Sequence, residues 1–97
     1  MNFRLNEQER EQVKFILNTW IPTRKVKIFG SRTLLEGKPY SDLDLCIMGE
    51  EPLTLHVTSD LREAFAESDL PFRVDLVDWS RLSLEMQLKV MQEGVDF

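Results

Sequence analysis

A single cysteine, Cys46, stands in the 97 residues, so no disulfide can form within the chain, which suits a reducing compartment such as the cytoplasm. No histidine lies near it in sequence, and the lone His56 falls at the start of a helical stretch. Cys46 therefore reads as a small buried apolar residue rather than a nucleophile, and His56 as a surface or capping residue. Positive charge is the minority sign: 12 Lys and Arg face 17 Asp and Glu, a net charge of −5. With an isoelectric point near 4.8, the chain lacks the broad basic face that direct nucleic-acid binding needs. No apolar run approaches a membrane span, and Met1-Asn2-Phe3-Arg4-Leu5-Asn6 is too short and polar for a secretion signal. Repeats, low-complexity stretches and linkers are missing too. A soluble chain with one domain over 1–97 is expected, its 42% apolar content enough for one modest core.

What is present is regular. Asn6 followed by Glu9 is a capping-box pattern, and Val13, Ile16, Leu17 and Trp20 recur at helical spacing. A helix over 7–20 follows, ended by Pro22. Strands are predicted at about 25–29, 42–48 and 72–77, with a short helix after Gly30-Ser31 and a turn through Gly37-Lys38-Pro39. A second helix over about 54–67 carries Val57, Leu61, Ala64 and Phe65 on its apolar face, and Asp69-Leu70-Pro71 breaks it. A third, over about 81–93, bears a stripe of Leu84, Leu88 and Met91, read as core or interface, and stops at Gly94. Val95-Asp96-Phe97 can add a short terminal strand. Strands alternating with helices indicate an α/β domain with a small sheet.

The chemistry concentrates in Ser41-Asp42-Leu43-Asp44-Leu45-Cys46-Ile47-Met48. In a strand Asp42 and Asp44 point to one side, about 7 Å apart, while Leu43, Leu45 and Ile47 point to the other, toward a core. Such a pair is either the solvated face of an edge strand or, in a cleft, a ligand for a hard divalent cation. Upstream, Val26-Lys27-Ile28-Phe29 runs straight into Gly30-Ser31-Arg32. A glycine there lets a ligand approach the backbone, and the hydroxyl and free N–H groups of the turn favour anionic oxygen. Downstream, Phe72, Val74 and Leu76 alternate with Arg73, Asp75 and Val77, so Asp75 is either an exposed strand residue or a third carboxylate that can reach the same cleft from a neighbouring strand. Asp78 reads instead as a cap before Trp79-Ser80. Arg24, Lys25, Lys27, Arg32 and Lys38 cluster in sequence around the Gly-Ser turn, either as a solvated surface or, through Arg32 or Lys38, as phosphate contacts.

Gly30-Ser31, ten intervening residues and Asp42-Leu43-Asp44 resemble the GS-x10-D-x-D signature of the DNA polymerase β-like nucleotidyltransferase superfamily. The chain looks most like its minimal nucleotidyltransferases (MNT), the antitoxin halves of HEPN/MNT toxin–antitoxin pairs. The resemblance runs from Phe29-Gly30-Ser31-Arg32 through Tyr40-Ser41-Asp42-Leu43-Asp44-Leu45 to Leu70 and the strand ending at Asp78-Trp79.

That resemblance implies a small mixed sheet of three to four strands with helices mainly on one face. It also implies AMP transfer from ATP to a hydroxyl, a tyrosine of a cognate HEPN ribonuclease toxin, in a hetero-oligomer with that all-helical partner. Asp42, Asp44 and Asp75 would be the catalytic residues and the ligands for magnesium, two ions in the family's scheme. Asp75 would also accept the acceptor's proton. Gly30, Ser31 and Arg32 would hold the nucleotide. Two other functions stay open: an antitoxin that neutralises its partner by binding alone, and transfer to a small molecule such as an aminoglycoside. The stretch Thr33 to Tyr40 is less basic than in many family members. A site on so small a sheet should be shallow, and something further must cover it.

Overall fold

The structure, a computed structural model, describes residues 5–30 and 42–97. Helix α1 (Glu7–Trp20) begins at the predicted capping box: Asn6 Oδ1 accepts from Glu9 N at 2.8 Å, and Glu9 Oε1 accepts from Asn6 N at 3.1 Å. Two of the helix's otherwise orphan N-terminal donors are thereby satisfied. Helix α2 (Leu55–Ala66) is capped by Thr54, whose Oγ1 accepts from Val57 N at 3.2 Å. Helix α3 (Leu84–Glu93) starts three residues later than the spacing suggests. Asp78 caps a short 3₁₀ turn, Trp79–Arg81, and Ser83 then caps the helix proper, accepting from Met86 N. Two successive capping side chains therefore split what the apolar spacing joins.

Strands β1 (Val26–Phe29), β2 (Leu43–Ile47), β3 (Val74–Asp78) and β4 (Val95–Asp96) form one mixed sheet in the order β3-β2-β1-β4. β1 pairs antiparallel with β2 and β4, and β2 pairs parallel with β3 through the crossover that α2 supplies. The predicted alternation decides the packing. Leu43, Leu45 and Ile47 point to one face and join Val13, Ile16 and Leu17 of α1 with Leu61 and Phe65 of α2. Cys46 points to the other face, where it meets Phe29 and Val90 of α3. Two helices thus cover one face and the third covers the opposite one.

Helix α3 narrows the two readings of its stripe, core or interface, to the second. Its buried side is Val90 with Met86 beside it, whereas Leu84 is 72% exposed, Leu88 54% and Met91 56%. The stripe that periodicity singled out is not core, because α3 lands on the half of the sheet that Phe29 and Cys46 fill. Cys46 is fully buried, and burial first, then the charge of Asp78, pushes its thiol up to about 11. It stays a neutral packing group at physiological pH, as its surroundings in sequence suggest.

Asp78 ties three segments together. Its carboxylate accepts from Leu53 N at 2.8 Å, from Ser80 Oγ at 2.8 Å and from Ser80 N at 3.1 Å, and Arg81 lies 3.6 Å away. Burial pushes its pKa up, but the bonds from Leu53 and Ser80 and the charge of Arg24 outweigh that and hold it below the ordinary aspartate value. Asp78→Ala should therefore cost about 2 kcal/mol at pH 7, since it strands buried donors. Because the folded pKa is lowered, this contribution is present above the unfolded value of about 3.9 and is lost as pH falls through the folded one. Urea melts of both proteins from pH 7 to pH 3 should show the gap closing; a gap independent of pH contradicts the assignment.

Candidate active site

Parallel pairing of β2 with β3 sets Asp44 directly opposite Asp75, in strands about 4.8 Å apart. Both side chains leave the sheet on the face that carries Cys46 and Val77, as the alternation requires. Antiparallel pairing with β1 sets Phe29 opposite Asp44, which brings the following Gly30 against the carboxylate. Gly30 has φ of +79°, a region glycine enters freely and other residues rarely. A methyl group at Gly30 would run into Asp44 Oδ2. Asp42 stands exposed just before β2, one strand repeat from Asp44.

These groups border a cleft of about 660 Å³ lined by Phe29, Gly30, Asp44 and Asp75 on the sheet, Arg62 of α2, and Met86 and Lys89 of α3. Arg73, also on its wall, reaches Asp75 at 3.8 Å. Burial first, then the charges of Asp75 and Asp42, pushes the Asp44 pKa above the ordinary range, and Lys89 partly offsets them. The site therefore holds crowded negative charge, only partly offset, at Asp44. The donors are hard oxygens, the class that magnesium takes, and a cation between them would relieve the repulsion. Among the described residues, no three His, Cys, Asp or Glu side chains already stand grouped as a metal cage. Asp44 and Asp75 are the paired element of the site, with Asp42 at its rim.

Ser31 and Arg32 lie outside the described residues, as do Lys38 and the short helix expected after the turn. Of the basic cluster, Arg24 and Lys25 precede β1, at the end of the strand away from Gly30. Arg24 donates to Met48 O at 2.7 Å and to Glu51 O at 2.9 Å, and Lys27 pairs with Asp96 at 2.8 Å. An extended strand separates by some 15–20 Å residues that are five or six apart in sequence. Arg24 and Lys27 are structural, and among the described residues the cations that border the cleft are Arg62, Arg73 and Lys89. Lys89 carries a faint sequence signal: it precedes the buried Val90, so once α3 is docked it flanks the acidic face.

Residues 11–96 match the family described as polymerase beta, nucleotidyltransferase. The chain belongs to that family. A probable protein adenylyltransferase, MntA, from Haemophilus influenzae is 49% identical over 79 residues, which are 81% of this nucleotidyltransferase and 69% of the relative. A solved toxin–antitoxin structure with AMP-PNP matches 95% of the chain and 72% of its own at TM-score 0.75 and 27% identity. Another, a tri-AMPylated Shewanella oneidensis HEPN toxin in complex with MNT antitoxin, matches 89% of the chain and 66% of its own at TM-score 0.67 and 26% identity. The minimal nucleotidyltransferase fold expected from the motif is the fold observed, with its four-stranded mixed sheet.

Proposed function

We propose that this nucleotidyltransferase is an antitoxin that moves AMP from ATP to a tyrosine hydroxyl of a HEPN-type toxin. The register of Asp44 against Asp75 beside Gly30 is the observation that carries the reading. The adenylyltransferase relative, and the likeness to complexes that hold an ATP analogue or an AMPylated toxin, support it. Asp42, Asp44 and Asp75 would hold magnesium, which when bound neutralises triphosphate charge and polarises the reacting phosphorus. Gly30 leaves room for the Asp44 carboxylate to lie against the turn, and Ser31 and Arg32 are assigned to the phosphates. Asp75 takes the proton of the incoming hydroxyl. The acceptor oxygen bonds to the α-phosphorus, the α–β bridging bond breaks, and pyrophosphate leaves with the electron pair. Positioning and charge neutralisation supply the catalysis, and no covalent enzyme intermediate is needed.

No helix among the described residues is long and apolar enough to cross a membrane. We place the reaction in the cytoplasm, where ATP is abundant and the lone thiol stays reduced. The test mixes the chain, its toxin and ATP labelled on the α-phosphate. The toxin should gain label with the native chain and lose it, by on the order of 10³-fold, with the Asp42→Ala/Asp44→Ala double variant. Equal labelling by the two proteins refutes the site. If instead the double variant still silences the toxin while bound, neutralisation is by covering rather than by chemistry.

A further inference from the structure

Phosphoryl transfer fixes the side from which the acceptor arrives, because the attacking and leaving oxygens stand roughly in line through the phosphorus. Across the sheet the order is β3-β2-β1, with Asp75 on β3, Asp44 on β2 and Gly30 just past the end of β1. The triphosphate tail, assigned to the Gly30 turn, therefore departs on the β1 side, and the acceptor enters over β3. Neighbouring strands lie about 4.8 Å apart, so the two approaches are separated by about 10 Å. β3 stands at the edge of the sheet, and among the described residues no further strand lies in that path.

Of the cations that border the cleft among the described residues, two already answer a carboxylate. Arg73 lies 3.8 Å from Asp75, and the charge of Lys89 is felt at Asp44. Arg62 is different. It is exposed on α2, directly after the fully buried Leu61 that anchors this turn of the helix. Among the described residues no ion pair or hydrogen bond engages its guanidinium. Arg62 also stands where the cleft meets a second hollow, of about 580 Å³, with Leu76 and Val77 as the other shared walls. Leu53, Leu55, Leu61 and Leu82 make that hollow chiefly aliphatic, and its polar members Asp78 and Arg81 face each other at 3.6 Å. A free guanidinium beside aliphatic walls suits a flat aromatic ring, which offers the cation a π face and the leucines an apolar body.

We propose that Arg62 selects the acceptor by lying against the phenol ring that carries the reacting hydroxyl. The inference rests on transfer to a tyrosine, and the ring is the part of the acceptor whose place follows from the reaction. With its oxygen at Asp75, the ring trails outward on the β3 side, into the mouth of the aliphatic hollow. Arg62 covers one face of the ring, and the leucine walls keep water from the contact, which strengthens it. A serine or threonine hydroxyl brings no ring to this place, so the same contact gives the site a preference for tyrosine.

The experiment measures transfer of label from ATP to the HEPN toxin that the native chain labels, using the native chain, Arg62→Met and Arg62→Lys. Methionine keeps much of the length without the charge, and lysine keeps the charge without the planar fork. Arg62 is exposed, so both variants should melt as the native chain does. In Arg62→Met, kcat/KM for the toxin should fall by about tenfold, and in Arg62→Lys by at least about threefold, while KM for ATP stays within about twofold of native. A kcat/KM for the toxin within twofold of native in Arg62→Met overturns the ring contact and leaves the transfer reading intact. So does full activity in Arg62→Lys, which makes the contact one of charge alone. A tenfold rise in KM for ATP overturns it as well, by giving Arg62 to the nucleotide. Failure of the native chain to label any HEPN toxin brings down the transfer reading, and this contact with it.

Discussion

Asp44→Asn is expected to abolish nucleotidyl transfer and to raise the melting temperature in the same stroke. The carboxylate is partly buried and has Asp75 opposite it and Asp42 one repeat away, with Lys89 as a weak offset. Its folded pKa is raised above the unfolded one. The stability linked to its protonated form is therefore complete below about pH 3.9 and is lost as pH rises through the folded value. At pH 7 the ionised group opposes folding. An amide keeps the shape and removes the charge, so the melting temperature should rise by roughly 2–5 °C. Transfer should fall by on the order of 10³-fold, because the charge that repels its neighbours is the charge the reaction needs. Calorimetry and the label-transfer assay on one preparation decide it. Magnesium should add to the point: it should stabilise the native chain by about 2.7 kcal/mol at a hundred times its Kd, and the variant far less. A variant that melts lower than the native chain, or responds to magnesium equally, contradicts the placement of Asp44.

Gly30→Ala should be the most damaging single methyl group that can be added near the site. The position has φ of +79°, and the new Cβ would meet the Asp44 carboxylate. The backbone penalty alone is about 1–2 kcal/mol. The chain would relieve the clash by moving the end of β1 or by turning Asp44 away, and either displaces a group that must be held in place. A displacement of about 1 Å costs on the order of 10²-fold in rate. The expected result is a lower melting temperature with transfer reduced by at least that factor. Restored transfer in Gly30→Ala combined with Asp44→Gly would be inconsistent with it, because relieving the clash there also removes the catalytic carboxylate. Native activity in Gly30→Ala alone would show that the turn is not part of the site.

What the amino-acid sequence makes legible follows from the range of the forces involved. Asn6 and Glu9 satisfy each other across one helical turn, so the start of α1 could be read from four residues. Leu43, Leu45 and Ile47 bury because a strand alternates, and the same alternation put Asp44 on the opposite side. Asp78 was legible as a cap because its Ser80 partner is two residues away, although its bond to Leu53 was not. The α3 stripe stayed open between core and interface because periodicity says which residues share a face, not which face finds the sheet. Leu84, Leu88 and Met91 and the pair Met86 and Val90 are each a consistent stripe, and only docking chose between them.

The amino-acid order by itself determined the helices, the strands, the glycine turn and the presence of three aspartates in a family spacing, since each depends on contacts within a few residues. Tertiary structure alone decided that Asp75 pairs with Asp44, that Lys89 and Arg62 border them, and that Arg24 and Lys27 are spent elsewhere. Asp44 and Asp75 meet through a β2–α2–β3 crossover whose register is set by hydrophobic packing of one sheet face against two helices. No local rule fixes that register, because a shift of one residue would keep every local preference and turn the carboxylate into the core.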